Sequence, residues 1–316
     1  MAIYASYIVG DYGYIAKISL AGNLIDTWSL GSAQDGVVQA RYNGLAIDSE
    51  DNVYYTTLGT KQNIVKRDKN GNIVLIKNVP DVEAVYSVAI GPDGYIYTLE
   101  FAGPNIDWHI SKRNASDLEV SLDEEEQEET MKISDALVYP PPPRPGYTDI
   151  FHGLAIRSNG YIYFVKEYNS EDFRKRFYEL WIWGNSTYSA RLETENYPYA
   201  CLSVIGPAMI NVTSNYYNTG VWSVGNISSE DYVTLEGLNS PQNTGSDGTY
   251  FYFIGYEGTW DTHVNLLIGK YDSALNKEWI LTIPNSSSFV AGSIGANDID
   301  IAGDYPLYPV IFPLET

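Results

Sequence analysis

The chain has 316 residues, of which 44% are hydrophobic and 14% aromatic, so it can bury a large core. Its formal charge of −21 argues against a nucleic-acid partner, which needs clustered Lys and Arg, and against an anionic membrane surface. Cys201 is the only cysteine, which excludes an intrachain disulfide and a cysteine-based zinc site.

The predicted elements begin with three strands in residues 4–30. These align with residues 53–79, the last three of four short strands in residues 43–79. The four runs are GLAID, NVYYTTL, NIVKRD and NIVLIKNV, and they are joined by turn-rich Ser-Glu-Asp-Asn, Gly-Thr-Lys-Gln and Lys-Asn-Gly-Asn. Residues 43–79 therefore predict one complete four-stranded unit.

A hairpin pattern recurs along the rest of the chain. Residues 44–56, 87–98 and 153–164 each contain an apolar run, a tight polar turn and then alternating aromatic and aliphatic residues. Two more strands follow each hairpin, for example within residues 109–120. The copies start roughly 40 to 65 residues apart, a spacing typical of propeller blades. Weaker copies follow at residues 202–214 and 244–255, and residues 299–310 contain a sixth first strand.

These repeats predict an all-β fold, a six-bladed β-propeller of four-stranded blades. The strands in residues 4–30 lack a first strand, and the region Asp298–Ala302 lacks the other three. Both chain ends are therefore predicted to complete one blade, which leaves no open sheet edge. Five blades are the alternative if a weak copy is misread, and seven if residues 100–150 hide another copy.

One segment interrupts the repeat within the single predicted domain, residues 1–316. Residues 117–146 contain the acidic run DEEEQEE and the proline-rich run YPPPPRPG. The acidic run is expected to be solvated and the proline run to be stiff and extended. The segment is either a surface insertion without a task or a docking ligand for an aromatic groove.

The stretch GLAIDSEDNVYYTTLGTKQNIVKRDKNGNIV resembles an NHL-type repeat, which has a Gly-Leu-Ala-Val-Asp strand, a Gly-Asn turn, a Tyr-Val-Ala strand and an Ile-x-x-Phe-Asp element. The chain is also similar to the six-bladed propellers of the senescence-marker and gluconolactonase type. The likeness covers the first three blades and then fades. Residues Gly59–Ile64 replace the usual Asp-x-x-Asn-x-Arg-Ile element, so the resemblance implies a fold far more than an activity.

The loops between second and third strands of the predicted blades are long and aromatic, whereas the other turns are short. Function in scaffold folds concentrates on such loops. Aromatic rings beside Asn and Asp suit sugars or protein surfaces, and they equally suit packing of a loop onto its blade. The candidate binding residues are Trp108, Tyr168, Phe177, Tyr216, Tyr217, Tyr256 and Trp260.

The mouth of the predicted channel is a second candidate region. Residues just before each first strand are expected there: Asn43, Tyr86, His152, Cys201, Ser240 and Asn297. His152 is the most chemically capable of them. His109 and His263 occupy similar positions in distant blades, which argues against a three-histidine metal site. Lactonases of the resembled type hold a divalent metal with Glu, Asn and Asp around the channel. That resemblance makes four residues weak metal candidates: Glu100, Glu167, Asn297 and Asp298.

No catalytic residue is predicted. The chain lacks G-x-S-x-G, H-E-x-x-H, Walker and dinucleotide-binding motifs, and no carboxylate pair can be chosen by spacing. The leading hypothesis is a non-enzymatic binding or structural propeller without a cofactor. The alternatives are a metal-dependent lactonase or hydrolase, with a divalent cation such as calcium in the channel, and a cytoplasmic NHL-like protein-interaction scaffold.

The expected location is a virion or an extracellular surface. The N-terminal residues lack the basic and apolar regions of a signal peptide, and no apolar run is long enough for membrane insertion. The Tyr-rich, almost Cys-free composition resembles that of proteins from viruses of hyperthermophilic archaea. We expect such a protein to join a larger assembly and to contact a partner protein or a host glycan. Sequons, only slightly above chance, permit glycosylation at Asn114, Asn185, Asn211, Asn226 and Asn285.

Overall fold

A computed structural model describes residues 2–9, 12–32, 44–57, 63–79, 82–102, 107–120, 131–132, 150–156, 162–169, 176–183, 191–194, 203–205, 209–213, 220–223, 232–238, 243–247, 249–257, 265–284 and 294–301. Within these residues the chain forms 24 β-strands and no α-helix, so the all-β prediction is confirmed. The same residues include no helix that could cross a membrane.

The strands follow one another in short antiparallel steps. In chain order they are β1 (Ala2–Val9), β2 (Tyr12–Ser19), β3 (Leu24–Ser32), β4 (Leu45–Ile47), β5 (Val53–Thr57), β6 (Asn63–Arg67), β7 (Ile73–Asn78), β8 (Val82–Ile90), β9 (Ile96–Ala102), β10 (Asp107–Arg113), β11 (Met131–Lys132), β12 (Ile150–Ile156), β13 (Ile162–Asn169), β14 (Arg176–Trp183), β15 (Arg191–Thr194), β16 (Ser203–Ile205), β17 (Met209–Thr213), β18 (Gly220–Ser223), β19 (Tyr232–Thr234), β20 (Asn243–Ser246), β21 (Phe251–Glu257), β22 (Asn265–Tyr271), β23 (Lys277–Pro284) and β24 (Ile294–Ile301).

The described strands make six four-stranded sheets. Their strand orders are β24-β1-β2-β3 (sheet 1), β4-β5-β6-β7 (sheet 2), β8-β9-β10-β11 (sheet 3), β12-β13-β14-β15 (sheet 4), β16-β17-β18-β19 (sheet 5) and β20-β21-β22-β23 (sheet 6). In sheet 1, β24 runs antiparallel to β1, with Ile301 opposite Ile3 and Ile294 opposite Val9. The strand thus comes from the far end of the sequence.

Sheets 1, 2, 3 and 6 carry buried apolar residues on both faces, since alternate residues of a strand point to opposite faces. In β1, Tyr4 packs with Leu45 and Tyr55 of sheet 2, whereas Ile3 packs with residues of sheet 6 such as Tyr252. Further apolar clusters join sheet 2 to sheet 3, sheet 3 to sheet 4, and the end of sheet 5 to sheet 6. Short runs such as VYYTT in β5 are therefore buried at every position.

Lysines on third strands also link one sheet to the next. Lys17 of β2 donates to the backbone carbonyl of Lys69 at 2.9 Å, and Lys66 of β6 donates to that of Ala115 at 3.0 Å. Each lysine therefore bridges to the turn that joins the third and fourth strands of the following sheet. The contact between sheets 1 and 2 is thus repeated between sheets 2 and 3.

The tight turns are closed by local hydrogen bonds. Asp68 illustrates the design: its Oδ1 accepts from the backbone N–H groups of Asn70 and Asn72, and its Oδ2 accepts from the Asn72 side chain at 2.9 Å. Gly71 completes the turn with φ of +84°. The same arrangement recurs at Asp48 with Asn52 and at Asp272 with Asn276. These turns are the Asn-, Asp- and Gly-based turns that the sequence predicts.

The predicted hairpins are confirmed, but the fourth strand of sheet 3 lies elsewhere than predicted. The sequence places it within residues 109–120, and only Val120 bridges to Arg113 there. The ladder resumes at Met131, which pairs with Ile110. Residues 117–120 and 131–132 of the predicted insertion thus belong to the sheet region, while 121–130 and 133–149 lie outside the described residues.

Candidate functional site

Aromatic residues gather at one end of the ladder between second and third strands. We call this the loop end of a sheet, where the second strand finishes and the third begins. In sheet 3, Phe101 pairs with Trp108, and in sheet 4, Tyr168 pairs with Phe177. In sheet 6, Tyr256 occupies the next-to-last rung. Four predicted binding residues therefore occupy equivalent register positions in three sheets.

These residues lie in strands, whereas the sequence places them in long loops. The ladder of sheet 3 continues to Ala102 and Asp107, and that of sheet 4 continues to Asn169 and Arg176. Aromatic residues favour strand conformation, so they can continue a ladder into a segment that its composition marks as a loop. The other predicted binding residues, Tyr216, Tyr217 and Trp260, lie outside the described residues.

Sheet 1 has an aromatic loop end that the sequence reasoning missed. Tyr7 and Tyr14 are a cross-strand pair with ring centroids 5.4 Å apart and an interplanar angle of 22°. Tyr7 is buried, and this burial raises the pKa of its hydroxyl. Tyr12, on the last rung, remains 52% exposed. The signal was present in the alternation of residues 4–14, but a two-residue connection does not look like a binding loop.

The last two rungs of sheet 2 at its loop end carry no aromatic residue. Thr57 pairs with Asn63, and Thr56 pairs with Ile64. The loop-end aromatic positions are therefore a property of particular sheets and are not required by the architecture itself. This contrast agrees with the interpretation of residues 43–79 as scaffold.

First strands carry β-bulges near the predicted channel mouth. In sheet 1, Ser6 pairs with Asp298 and Tyr7 with Ala296, so Asn297 is the extra residue. In sheet 3, Tyr86 is skipped in the same manner between Val85 and Ser87. Bulges re-aim side chains and are common at barrel rims.

Three of the residues predicted at the channel mouth, Tyr86, His152 and Asn297, lie at or beside such a bulge. In sheet 4 the bulge directly follows His152, which pairs with Val165. Tyr86 packs partly against the apolar cluster between sheets 3 and 4. Of the remaining predicted positions, Asn43, Cys201 and Ser240 lie outside the described residues.

Glu100 is engaged in a buried ion pair. Its Oε1 lies 2.7 Å from Nη2 of Arg113, and its Oε2 accepts from the Ser111 hydroxyl at 3.0 Å. Thr98 donates to Oε1 at 2.5 Å, and all four side chains are at most 4% exposed. A buried carboxylate is stable in this form because a charged partner and hydrogen bonds replace its water. Both oxygens of this metal candidate therefore bind protein groups.

For two other metal candidates, Glu167 and Asp298, the structure gives the strand and the residues opposite. Glu167 lies in β13, opposite Ile150 and Tyr178, and Asp298 lies in β24, opposite Ser6. In the part of the chain that the structure describes, no group of three or more His, Cys, Asp or Glu side chains is placed to hold a metal ion.

Two of the five sequons fall in described residues. Asn114 begins the turn after β10, where its backbone N–H donates to Glu119 and its carbonyl accepts from Leu118. Asn211 lies within β17, opposite Ser203 and Ser223. Asn185, Asn226 and Asn285 lie outside the described residues.

Comparison with known proteins identifies a fold and no family. No protein-family model matches the chain, and no curated protein matches it. Among solved structures, a chain of a nidogen/laminin complex is 12% identical, with 95% of this chain and 98% of that chain covered and a TM-score of 0.54.

Two bacterial structures are similar to the same degree. A Bacteroides caccae protein of unknown function is 13% identical, with 95% and 98% coverage and a TM-score of 0.55. A Lactobacillus plantarum protein is 12% identical, with 94% and 98% coverage and a TM-score of 0.53. The chain is therefore a β-propeller, and at this identity the likeness extends to the fold alone.

Proposed function

We propose that this protein is a non-enzymatic binding propeller of six blades, each blade being one of the six sheets, with β24 completing sheet 1. The contacts between first strands support this arrangement: β24 contacts β4, β4 contacts β8, β8 contacts β12, β16 contacts β20, and β20 contacts β24. In a propeller the first strands surround the axis, so such a series is expected.

The proposed binding surface is the set of loop ends of sheets 1, 3, 4 and 6. The observation that carries this proposal is the recurrence of aromatic residues at the loop-end rungs, from Tyr12 in sheet 1 to Tyr256 in sheet 6. In a propeller, all connections between second and third strands open on one face. Rigid aromatic side chains give large contact area at low entropy cost, and their polar edges suit a protein or a glycan.

A protein partner has additional support. One of the similar propellers was solved in a nidogen/laminin complex, which is a protein–protein assembly. An exposed ring such as Tyr12 also fits the aromatic enrichment of protein interfaces. A glycan partner is the alternative ligand for the same surface, since sugars stack on aromatic faces.

The proposal is tested by binding of the full chain to a glycan array and to surface proteins captured from its native source. We expect a bound partner whose affinity falls for Tyr12→Ala and for Trp108→Ala. Ile25→Ala is the control, because Ile25 is a similarly exposed apolar residue on an outer strand. A partner that binds all three variants equally would overturn the loop-end surface.

A location on a virion or an extracellular surface is part of the proposal. Enrichment of the native protein in purified particles or surface fractions is the expected result, with glycans at Asn114 if the host modifies it. Recovery in the cytosol alone would instead support an intracellular scaffold.

A metal-dependent hydrolase is the second candidate. Asn297 lies at a bulge beside Asp298 on the first strand of sheet 1, and the hydroxyl of Ser6, opposite Asp298, is buried without a hydrogen-bond partner. These groups would hold a divalent cation such as calcium. Elemental analysis of the native protein and calorimetric titration with calcium test this candidate. It would be removed if calcium gave no binding isotherm, or if Asp298→Asn left the isotherm unchanged.

A further inference from the structure

The outer edge of sheet 2 is apolar and exposed. In β7, Ile73, Val74 and Ile76 are 53%, 57% and 54% exposed. Within the described strand order, β7 pairs with β6 alone, so its other edge is unpaired. Exposed edge strands of this kind can accept another strand.

The outer strands of sheets 1 and 6 carry features that protect an edge, and β7 has few of them. In β23, Trp279, Ile280 and Leu281 are partly buried, and the strand ends at Pro284. In β3, the charged Asp26 interrupts the apolar pattern. Charged residues and proline commonly block edge pairing; β7 contains no proline, and its one charged residue, Lys77, comes after the run Ile-Val-Leu-Ile.

Positive charge accompanies this edge. Residues 63–79 contain four basic residues and one acidic residue, a net charge of +3 in a chain of −21. The acidic residue, Asp68, is held by Asn72. Lys69 is exposed, and Lys77 pairs with Glu119. Because Arg67 is buried and Lys77 already has an acidic partner, attraction of an acidic ligand to β7 comes mainly from Lys69, and charges more than about 8 Å away are screened at physiological salt.

We propose that the free edge of β7 binds an extended acidic peptide of a partner protein by strand addition. Backbone hydrogen bonds to the edge would give affinity, and alternate apolar side chains of the peptide would pack on Val74 and Ile76. Acidic side chains would lie near Lys69. This surface is separate from the loop ends, because β7 is the outermost strand of its sheet.

A second copy of the chain fits this edge less well. Pairing of two β7 strands would bring two positive hairpins together, and like charges on paired strands are destabilising. The two whole chains, each of formal charge −21, would also repel. An acidic peptide avoids the first penalty and gains attraction from Lys69.

The test uses the full chain and labelled synthetic peptides of about eight residues, the length of an ordinary strand. One peptide alternates Val and Glu, and the other alternates Val and Lys. Fluorescence anisotropy should show the Glu peptide binding at least about tenfold more tightly. A Val–Glu peptide with N-methyl groups along one backbone edge should lose binding, because strand addition needs its N–H groups.

Matched variants locate the site. Ile76→Ser should weaken the Val–Glu peptide by about tenfold, as expected for losing a buried aliphatic contact, whereas Ile25→Ser on β3 should leave it unchanged. Lys69→Glu should weaken the Glu peptide and strengthen the Lys peptide. Equal binding of both peptides, or equal effects of Ile76→Ser and Ile25→Ser, would overturn the proposal. A native dimer that Ile76→Ser dissociates in light scattering would also overturn it, in favour of a second copy.

Discussion

Gly71→Ala is expected to destabilise the protein by about 2–5 kcal/mol, because a methyl group there meets an immobile tryptophan from the next sheet. Gly71 has φ of +84°, where an L-residue costs about 1–2 kcal/mol. A Cβ would lie 2.7 Å from three ring atoms of Trp28, and overpacking of this kind costs about 1–3 kcal/mol. Trp28 cannot retreat easily, since it is buried and its Nε1 donates to Asp26 at 3.0 Å.

Gly94→Ala is the matched control for this substitution. Gly94 has φ of +80° in an equivalent turn, but a Cβ there meets nothing within 4 Å. It should therefore show the backbone cost alone, about 1–2 kcal/mol. The free energies of unfolding are compared by urea titration followed by far-ultraviolet circular dichroism. Equal costs at the two glycines would refute the packing argument, as would a Gly71→Ala penalty that persists undiminished in a Trp28→Ala background.

Three further outcomes are expected. Glu100→Ala should cost about 3–5 kcal/mol in urea unfolding by leaving Arg113 buried and unpaired, and the double variant with Arg113→Met should recover part of it; a fully additive loss would contradict the ion-pair account. Hydrogen bonds from Asn side chains lower the pKa of Asp68 and of Asp272, so both carboxylates stabilise their turns above a pH of about 4 and lose this contribution as the pH falls further. The difference in Tm between the native chain and the Asp68→Asn, Asp272→Asn double variant should therefore shrink as the pH falls below about 4. A difference that stays constant with pH would contradict this role of the two carboxylates. Asp51→Gly should raise the free energy of unfolding by about 0.5 kcal/mol, because Asp51 has φ of +64°, and a loss of stability would show that its side chain matters more than its backbone.

The sequence predicts strands and turns correctly where the hydrogen bonds that form them are local. The turn from Asp68 to Asn72 closes within five residues, so its Asp, Gly and Asn spacing is visible in the sequence and predicts the hairpin between β6 and β7. The alternation on either side supplies the strand period. Because this unit recurs, the all-β fold and the propeller followed from the sequence alone.

The candidate site was predicted only in part. Trp108, Tyr168, Phe177 and Tyr256 were chosen as loop residues, and they occupy the ends of strand ladders. The error arose because strand ends depend on cross-strand pairing, which composition does not show. Tyr12 was missed for the same reason, since its exposure depends on which residues cover it and not on the residue itself.

The sequence by itself determined the strands, their turns and the four-stranded repeat, because each rests on interactions between residues close in the chain. Tertiary structure alone decided that Trp28 lies on Gly71, that Arg113 neutralises Glu100, and that the ladder of sheet 3 resumes at Met131 after the acidic run. It also left β7 exposed while the outer strand of sheet 6 is partly covered. Such outcomes depend on which surfaces meet after folding, and a linear pattern carries no information on the neighbour that will cover a given face.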